Sequence, residues 1–151
     1  MKKTLLILLM LWTVETIGCQ CTSHSDFLET VENKAYGLVI GKIIRTEDHR
    51  FQFSIDRVLN GSFPSDTIDL LQPDGSECGQ NLRMFDPRKP YIFSLNDLTS
   101  SLPGYFELIP CASPALEVVG NKLRGRISAG LGQDQEMLLS DFLEIYAGKT
   151  P

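Results

Sequence analysis

The sequence predicts a mainly β fold: a small closed or partly open barrel of five or six strands, with a short helix near the start of the domain and another at its end. Three observations predict it. Phe51, Phe53 and Ile55 alternate with Gln52, Ser54 and Asp56, the period of a strand with one buried face. Short β-branched and aromatic runs recur along the chain between loops rich in Gly, Pro, Asp and Ser. Helical spacing is confined to the stretches beginning at Asp26 and Asp134, and strands flanked by terminal helices suit a barrel better than a sandwich. At 151 residues, 42% of them apolar and 22% charged, the chain has room for one domain and too much apolar content for disorder.

The first element lies outside the fold. Lys2 and Lys3 precede the apolar run Leu5–Trp12, which is too short to span a bilayer but has the length of a secretory signal core. Thr16 and Gly18 stand three and one positions before Cys19, where a signal peptidase requires small residues. Residues 1–18 are therefore expected to be a signal peptide and residues 19–151 the exported domain. Losing Lys2, Lys3 and Glu15 makes the formal charge one unit more negative than −5, so there is no basic footprint for nucleic acid. A cysteine directly after a signal also fits a bacterial lipoprotein. Lipidation of Cys19 would leave three thiols, however, whereas simple cleavage leaves four, enough for two bridges. The expected location is secreted or periplasmic, with lipid anchoring through Cys19 as the alternative.

The mature N-terminus, Cys19 to Ser25, has no hydrophobic period and reads as extended. Asp26 can cap a short helix, with Glu29 as its reciprocal partner, Phe27, Leu28 and Val31 as its apolar side, and Asn33 as its end. A β-branched strand follows over Tyr36–Arg45, with glycines where a strand must bend or admit another backbone. Thr46–Arg50 is a polar turn, and the next strand begins at Phe51. Its alternation slips at Val58-Leu59, which predicts a bulge before the Asn60-Gly61 turn. Further strands are expected at Thr67–Leu71, Pro90–Leu95 and Tyr105–Ile109, with a weak one at Lys122–Ile127. In the terminal helix, Leu138, Phe142 and Ile145 share one side and Leu139, Leu143 and Tyr146 lie beside them. Asp134 and Glu136 suit its N-terminal end, and Gly148 can close it.

The chemistry rests on four cysteines, at positions 19, 21, 78 and 111. One Cys-x-Cys with no Cys-x-x-Cys is unlike a zinc ribbon. Cys19 and Cys21 are too close to bridge each other comfortably, which leaves Cys19–Cys78 with Cys21–Cys111, or Cys19–Cys111 with Cys21–Cys78. His24 and His49, the two histidines, read as solvated loop residues, and Asp86 and Asp97 have no identifiable partner. No nucleophile–base pair, phosphate loop or carboxylate pair has supporting context, so neither an enzyme nor a resident cofactor is expected. Asn60-Gly61-Ser62 fits the glycosylation sequon, although Asn-Gly is first a turn signal.

A mature chain beginning Cys19-Gln20-Cys21, a short helix, a Val/Ile-rich strand carrying Gly41-Lys42, Cys78 in a Gly-containing loop and Cys111 after a strand together resemble one family. It is the inhibitory domain of the tissue inhibitors of metalloproteinases, within the netrin-like modules that use an OB-type barrel. The resemblance covers about Cys19 to Cys111, and it implies the pairing Cys19–Cys78 and Cys21–Cys111. Such bridges close loops of about 60 and 90 residues, each worth about 4 kcal/mol on the chain-entropy model when taken alone.

The resemblance further implies that the Cys19 α-amine and carbonyl chelate the catalytic zinc of a target protease. A catalytic zinc keeps an open position that such a donor pair can fill. The amine must be neutral, which its ordinary pKa of about 7.7–8.0 makes inexpensive. Gln20 would enter the specificity pocket, and Thr22, Ser23, Ser76 and Glu77 would complete the contact with Cys21. The chain departs from the family in having Thr22-Ser23-His24-Ser25 where prolines follow the second cysteine, and in lacking a third disulfide and a second domain. The function implied is an exported metalloproteinase inhibitor. Its alternative is a non-inhibitory netrin-like interaction module that binds another extracellular protein.

Overall fold

The computed structural model describes residues 26–33, 37–71, 82–98, 102–109, 113–128 and 134–147. Strands β1 (Gly37–Glu47) and β2 (Arg50–Asn60) are 11 residues each and form a hairpin across the turn at Asp48-His49. Phe51, Phe53 and Ile55 all point into the core, as their alternation requires. The register slips three times, leaving Ile44 of β1 and Asp56 and Leu59 of β2 as extra residues. The bulge expected at Val58-Leu59 is the last of these. Bulges bend the hairpin, so that Gly37–Gly41 also pairs with β4 while Arg50–Ser54 pairs with β3. Gly41 sits at the sharpest approach: a Cβ there would run into the Ser54 carbonyl oxygen and the Phe53 ring.

Strand β3 (Thr67–Leu71), a 3-10 turn (Leu82–Met84), β4 (Tyr91–Asp97) and β5 (Tyr105–Leu108) complete the barrel. The strands run β1-β2-β3-β5-β4 and back to β1, with β3 and β5 parallel and every other pair antiparallel. This is a closed five-stranded barrel of the OB type. Its interior holds Val39, Ile43, Phe51, Phe53, Leu70, Phe93, Leu95 and Phe106. Phe53 and Phe93 meet edge to face with ring centroids 4.8 Å apart.

Three further strands, β6 (Ala115–Val119), β7 (Lys122–Gly125) and β8 (Gln135–Leu138), extend β4 outward as an antiparallel wing. Helices α1 (Phe27–Asn33) and α2 (Leu139–Ala147) pack on one side of it. They create a second core in which Phe27, Val31 and Phe142 meet Leu38, Ile92, Leu116, Leu123 and Ile127. Strand β4 separates the two cores, which explains why Tyr91 through Leu95 are all buried. Ser94 faces the helical side and satisfies its hydroxyl on the Pro114 carbonyl at 3.3 Å.

Two expectations need correction. No strand was expected over Ala115–Val119, and the terminal helix was expected to include Asp134, Glu136 and Leu138. Gln135–Leu138 is instead β8, and α2 starts at Leu139, whose amide donates to the Asn121 carbonyl at 2.9 Å. Pairing with β7 overrides the helical propensity of this short stretch. The buried stripe of α2 is consequently Phe142 with Leu139, Leu143 and Tyr146 against the second core, while Leu138 and Ile145 are exposed. Strand bounds elsewhere differ from expectation by one or two residues, as at Tyr91–Asp97 and Lys122–Gly125.

Candidate functional site

The site implied by the sequence consists of Cys19, Gln20, Cys21, Thr22, Ser23, Ser76 and Glu77, with Cys78 and Cys111 as the bridging partners, and all nine lie outside the described residues, as does His24. What the structure describes is the scaffold on either side of them. Asp26 opens α1: its Oδ1 accepts the Glu29 amide at 2.9 Å and its carbonyl accepts the Thr30 hydroxyl at 2.6 Å. The next two amides, Phe27 and Leu28, donate to the Arg126 and Ile127 carbonyls at 3.1 and 3.0 Å. The Phe27 ring is fully buried and packs on Phe142, centroids 5.9 Å apart. The helix start that follows the Cys-x-Cys segment is thus fastened to the wing by hydrogen bonds and by an aromatic anchor.

The other flanks are held as firmly. Ile109 is buried, and the Ser94 amide donates to the Pro114 carbonyl at 2.8 Å, so the chain on both sides of residues 110–112 is fixed at the barrel. Beyond the segment that carries Ser76, Glu77 and Cys78, Leu82 inserts into the barrel core. Arg83 Nη2 donates to the Asp48 carbonyl at 3.2 Å, tying the 3-10 turn to the tip of the β1–β2 hairpin. Between those anchors and the barrel, Met84 stands 80% exposed. No element was expected at this turn. The signal that could have found it is the pair of apolar residues Leu82 and Met84 around a cation, in a stretch too short for a periodic pattern.

The remaining polar groups pair locally. Asp86 accepts from the Arg88 amide and guanidinium at 2.9–3.0 Å, and these bonds hold its carboxyl at about 2, below the usual carboxylate range. Asp97 is a half-buried residue at the end of β4 and pairs in register with Phe106 of β5. On the outer face, Arg50 lies over the Tyr105 ring at 5.4 Å and bonds Asp69, and it is this bond that lowers the Asp69 pKa. Across the wing, Glu117, Arg124 and Glu136 are register neighbours. They form a charge ladder with Lys89–Glu117 at 2.7 Å, Arg124–Glu136 at 2.8 Å and Lys122–Glu136 at 3.3 Å. Arg124 first, then Lys122, lowers the Glu136 pKa.

An open cleft of about 390 Å³ at β8 and α2 is lined by Lys122, Glu136, Met137, Leu138 and Asp141. His49 lies exposed in the hairpin turn. Among the described residues, no three or more His, Cys, Asp or Glu side chains are gathered for a metal ion, and no helix is long and apolar enough to cross a membrane. Comparison with protein-family models, curated proteins and solved structures finds no match for the chain.

Proposed function

We propose that the chain is an exported inhibitor of zinc metalloproteinases that acts through its mature N-terminus. The Cys19 amine and carbonyl occupy the open position on the target's zinc, and Gln20 enters the adjoining pocket. The observation that carries this reading is the anchorage of Phe27 and Leu28 to the wing. A chelating terminus inhibits only if it arrives already ordered, because every freely rotating residue next to the donor pair costs affinity. Here the helix start at Phe27, six residues beyond Cys21, is bolted to Arg126, Ile127 and Phe142 of the wing and its helices. The chain flanking Cys111 and Cys78 is held on the same barrel. Met84, exposed on the turn that Leu82 and Arg83 hold, adds an apolar point of contact.

The deciding experiment compares the native N-terminus with a form carrying one extra residue before Cys19, on a panel of zinc metalloproteinases. The extension turns the donor amine into an amide, a poor neutral ligand, and adds bulk facing the metal. Inhibition should vanish while circular dichroism stays the same. Equal inhibition by both forms would sink the chelation mechanism. No inhibition by the native form across the panel would leave a netrin-like interaction module as the function.

A further inference from the structure

We propose that Asn60 is a site of spontaneous deamidation, a modification that needs only water and is independent of the inhibitory reading. In the Asn60-Gly61 pair the Gly61 main-chain nitrogen, once deprotonated, attacks the Asn60 side-chain carbonyl carbon. A carbon–nitrogen bond forms, the Cγ–Nδ2 bond breaks, and ammonia departs with the proton. The cyclic imide then takes up one water at either carbonyl, leaving an aspartyl or isoaspartyl residue at position 60. Nothing is oxidised or reduced.

The fold places this pair where the reaction can run. Asn60 is the last residue of β2 and is exposed, and its register partner Leu38 lies just beyond the Leu59 bulge. Gly61 is also exposed, lies outside the ladder at φ 89°, and has no side chain to shield its nitrogen. Opening a single terminal pair at a strand end is a local event, in which Asn60 can swing out while Leu38 stays paired with Ser94 of β4.

The other described asparagines are placed differently. Asn96 lies within β4, donates its side-chain amide to Glu107 at 3.0 Å and precedes Asp97. Asn121 precedes Lys122 in the β6–β7 turn, with its carbonyl bonded to Leu139. Asn33 precedes Lys34. Each is therefore followed by a residue whose side chain hinders attack.

The consequence is structural as well as electrostatic. Conversion adds a negative charge at the edge of the barrel. The isoaspartyl product also inserts an extra main-chain carbon where β2 ends, so the Leu38–Asn60 pair should open.

The test incubates the folded exported protein in mildly alkaline and mildly acidic buffer. Peptide fragmentation locates the mass gain of an amide becoming an acid, and isoaspartyl methyltransferase labelling follows the rearranged product. Asp74-Gly75 can isomerise without any mass gain, so fragmentation keeps the two sites apart. Gain should appear first at residue 60, rise in proportion to hydroxide concentration, and disappear in Asn60→Gln, whose longer side chain does not close the five-membered ring. An unchanged residue 60 in folded protein beside rapid conversion of the urea-unfolded chain would overturn the proposal, as would earlier conversion at Asn96 or Asn121.

Discussion

Asp26 does two things with one residue. Its side chain satisfies an amide of the first turn of α1 that has no partner within the helix, and its carbonyl accepts both the amide and the hydroxyl of buried Thr30. Asp26→Ala removes the first interaction and keeps the second, so it should lower stability by about 1 kcal/mol in urea denaturation. A change too small to measure would mean that the bonds from Phe27 and Leu28 to β7's trailing residues hold the helix start by themselves. Asp86 makes a pH prediction. Its carboxyl is held at about 2 in the fold against 3.8 ordinarily, because Arg88 bonds it through side chain and backbone. The unfolded chain therefore takes up this proton at a higher pH than the folded chain does. The linked stability is complete above the ordinary value and is lost as pH falls toward the folded value. The melting temperature should decline over that acid window, and Asp86→Asn should flatten the decline. An Asp86→Asn curve that superimposes on the parent would rule out this pair as a source.

At the level of elements, the second core decides what holds α2. Phe142 is fully buried between Phe27 and Tyr146, whereas Ile145 is 36% exposed on the same helix. Phe142→Ala should cost about 3–5 kcal/mol, and Ile145→Ala no more than about 0.5 kcal/mol, measured by chemical denaturation. Equal effects would place the helix in a different rotation. The same pair of residues shows where sequence reading succeeds and where it stops. Strand β2 was legible because it alternates one face toward the barrel interior, as Phe51, Phe53 and Ile55 do, and β1 and β4 because their β-branched and aromatic runs are long. Asp26 was legible as a cap because capping is local chemistry. In the wing only β7 was legible: Ala115–Val119 and Gln135–Leu138 are short, and the latter is made of helix formers. They become strands only because β4 and β7 offer free edges and because Arg124 faces Glu136. With the start of α2 misplaced, Leu138 and Ile145 were assigned to its buried side. The candidate site is legible by another route. Cys19-Gln20-Cys21 stands out by its position after the expected cleavage sequence, and no strand or helix period points to it.

For the molecule as a whole, the two cores set what the proposed disulfides would add. One cluster fills a closed barrel and the other is sealed by two helices, and together they bury aromatic and aliphatic side chains from every described strand of the barrel. A domain of this length can reach an ordinary stability of about 5–15 kcal/mol from such burial. Losing one native bridge from a small secreted domain costs about 2–5 kcal/mol, which is a fraction of that stability. If the proposed pairing Cys21–Cys111 holds, its larger effect is on the donor residue two positions upstream of Cys21. Replacing Cys21 and Cys111 together by Ser should therefore lower the denaturation midpoint while leaving a cooperative transition and the β-type circular dichroism in place. Inhibition should fall much further than stability does, because the chelating amine and carbonyl would pay their ordering entropy on docking. The two readouts separate the roles. A variant that unfolds outright would make the bridge a condition of the barrel itself. A stable variant with undiminished inhibition would show that α1, anchored through Phe27, orders the terminus without it.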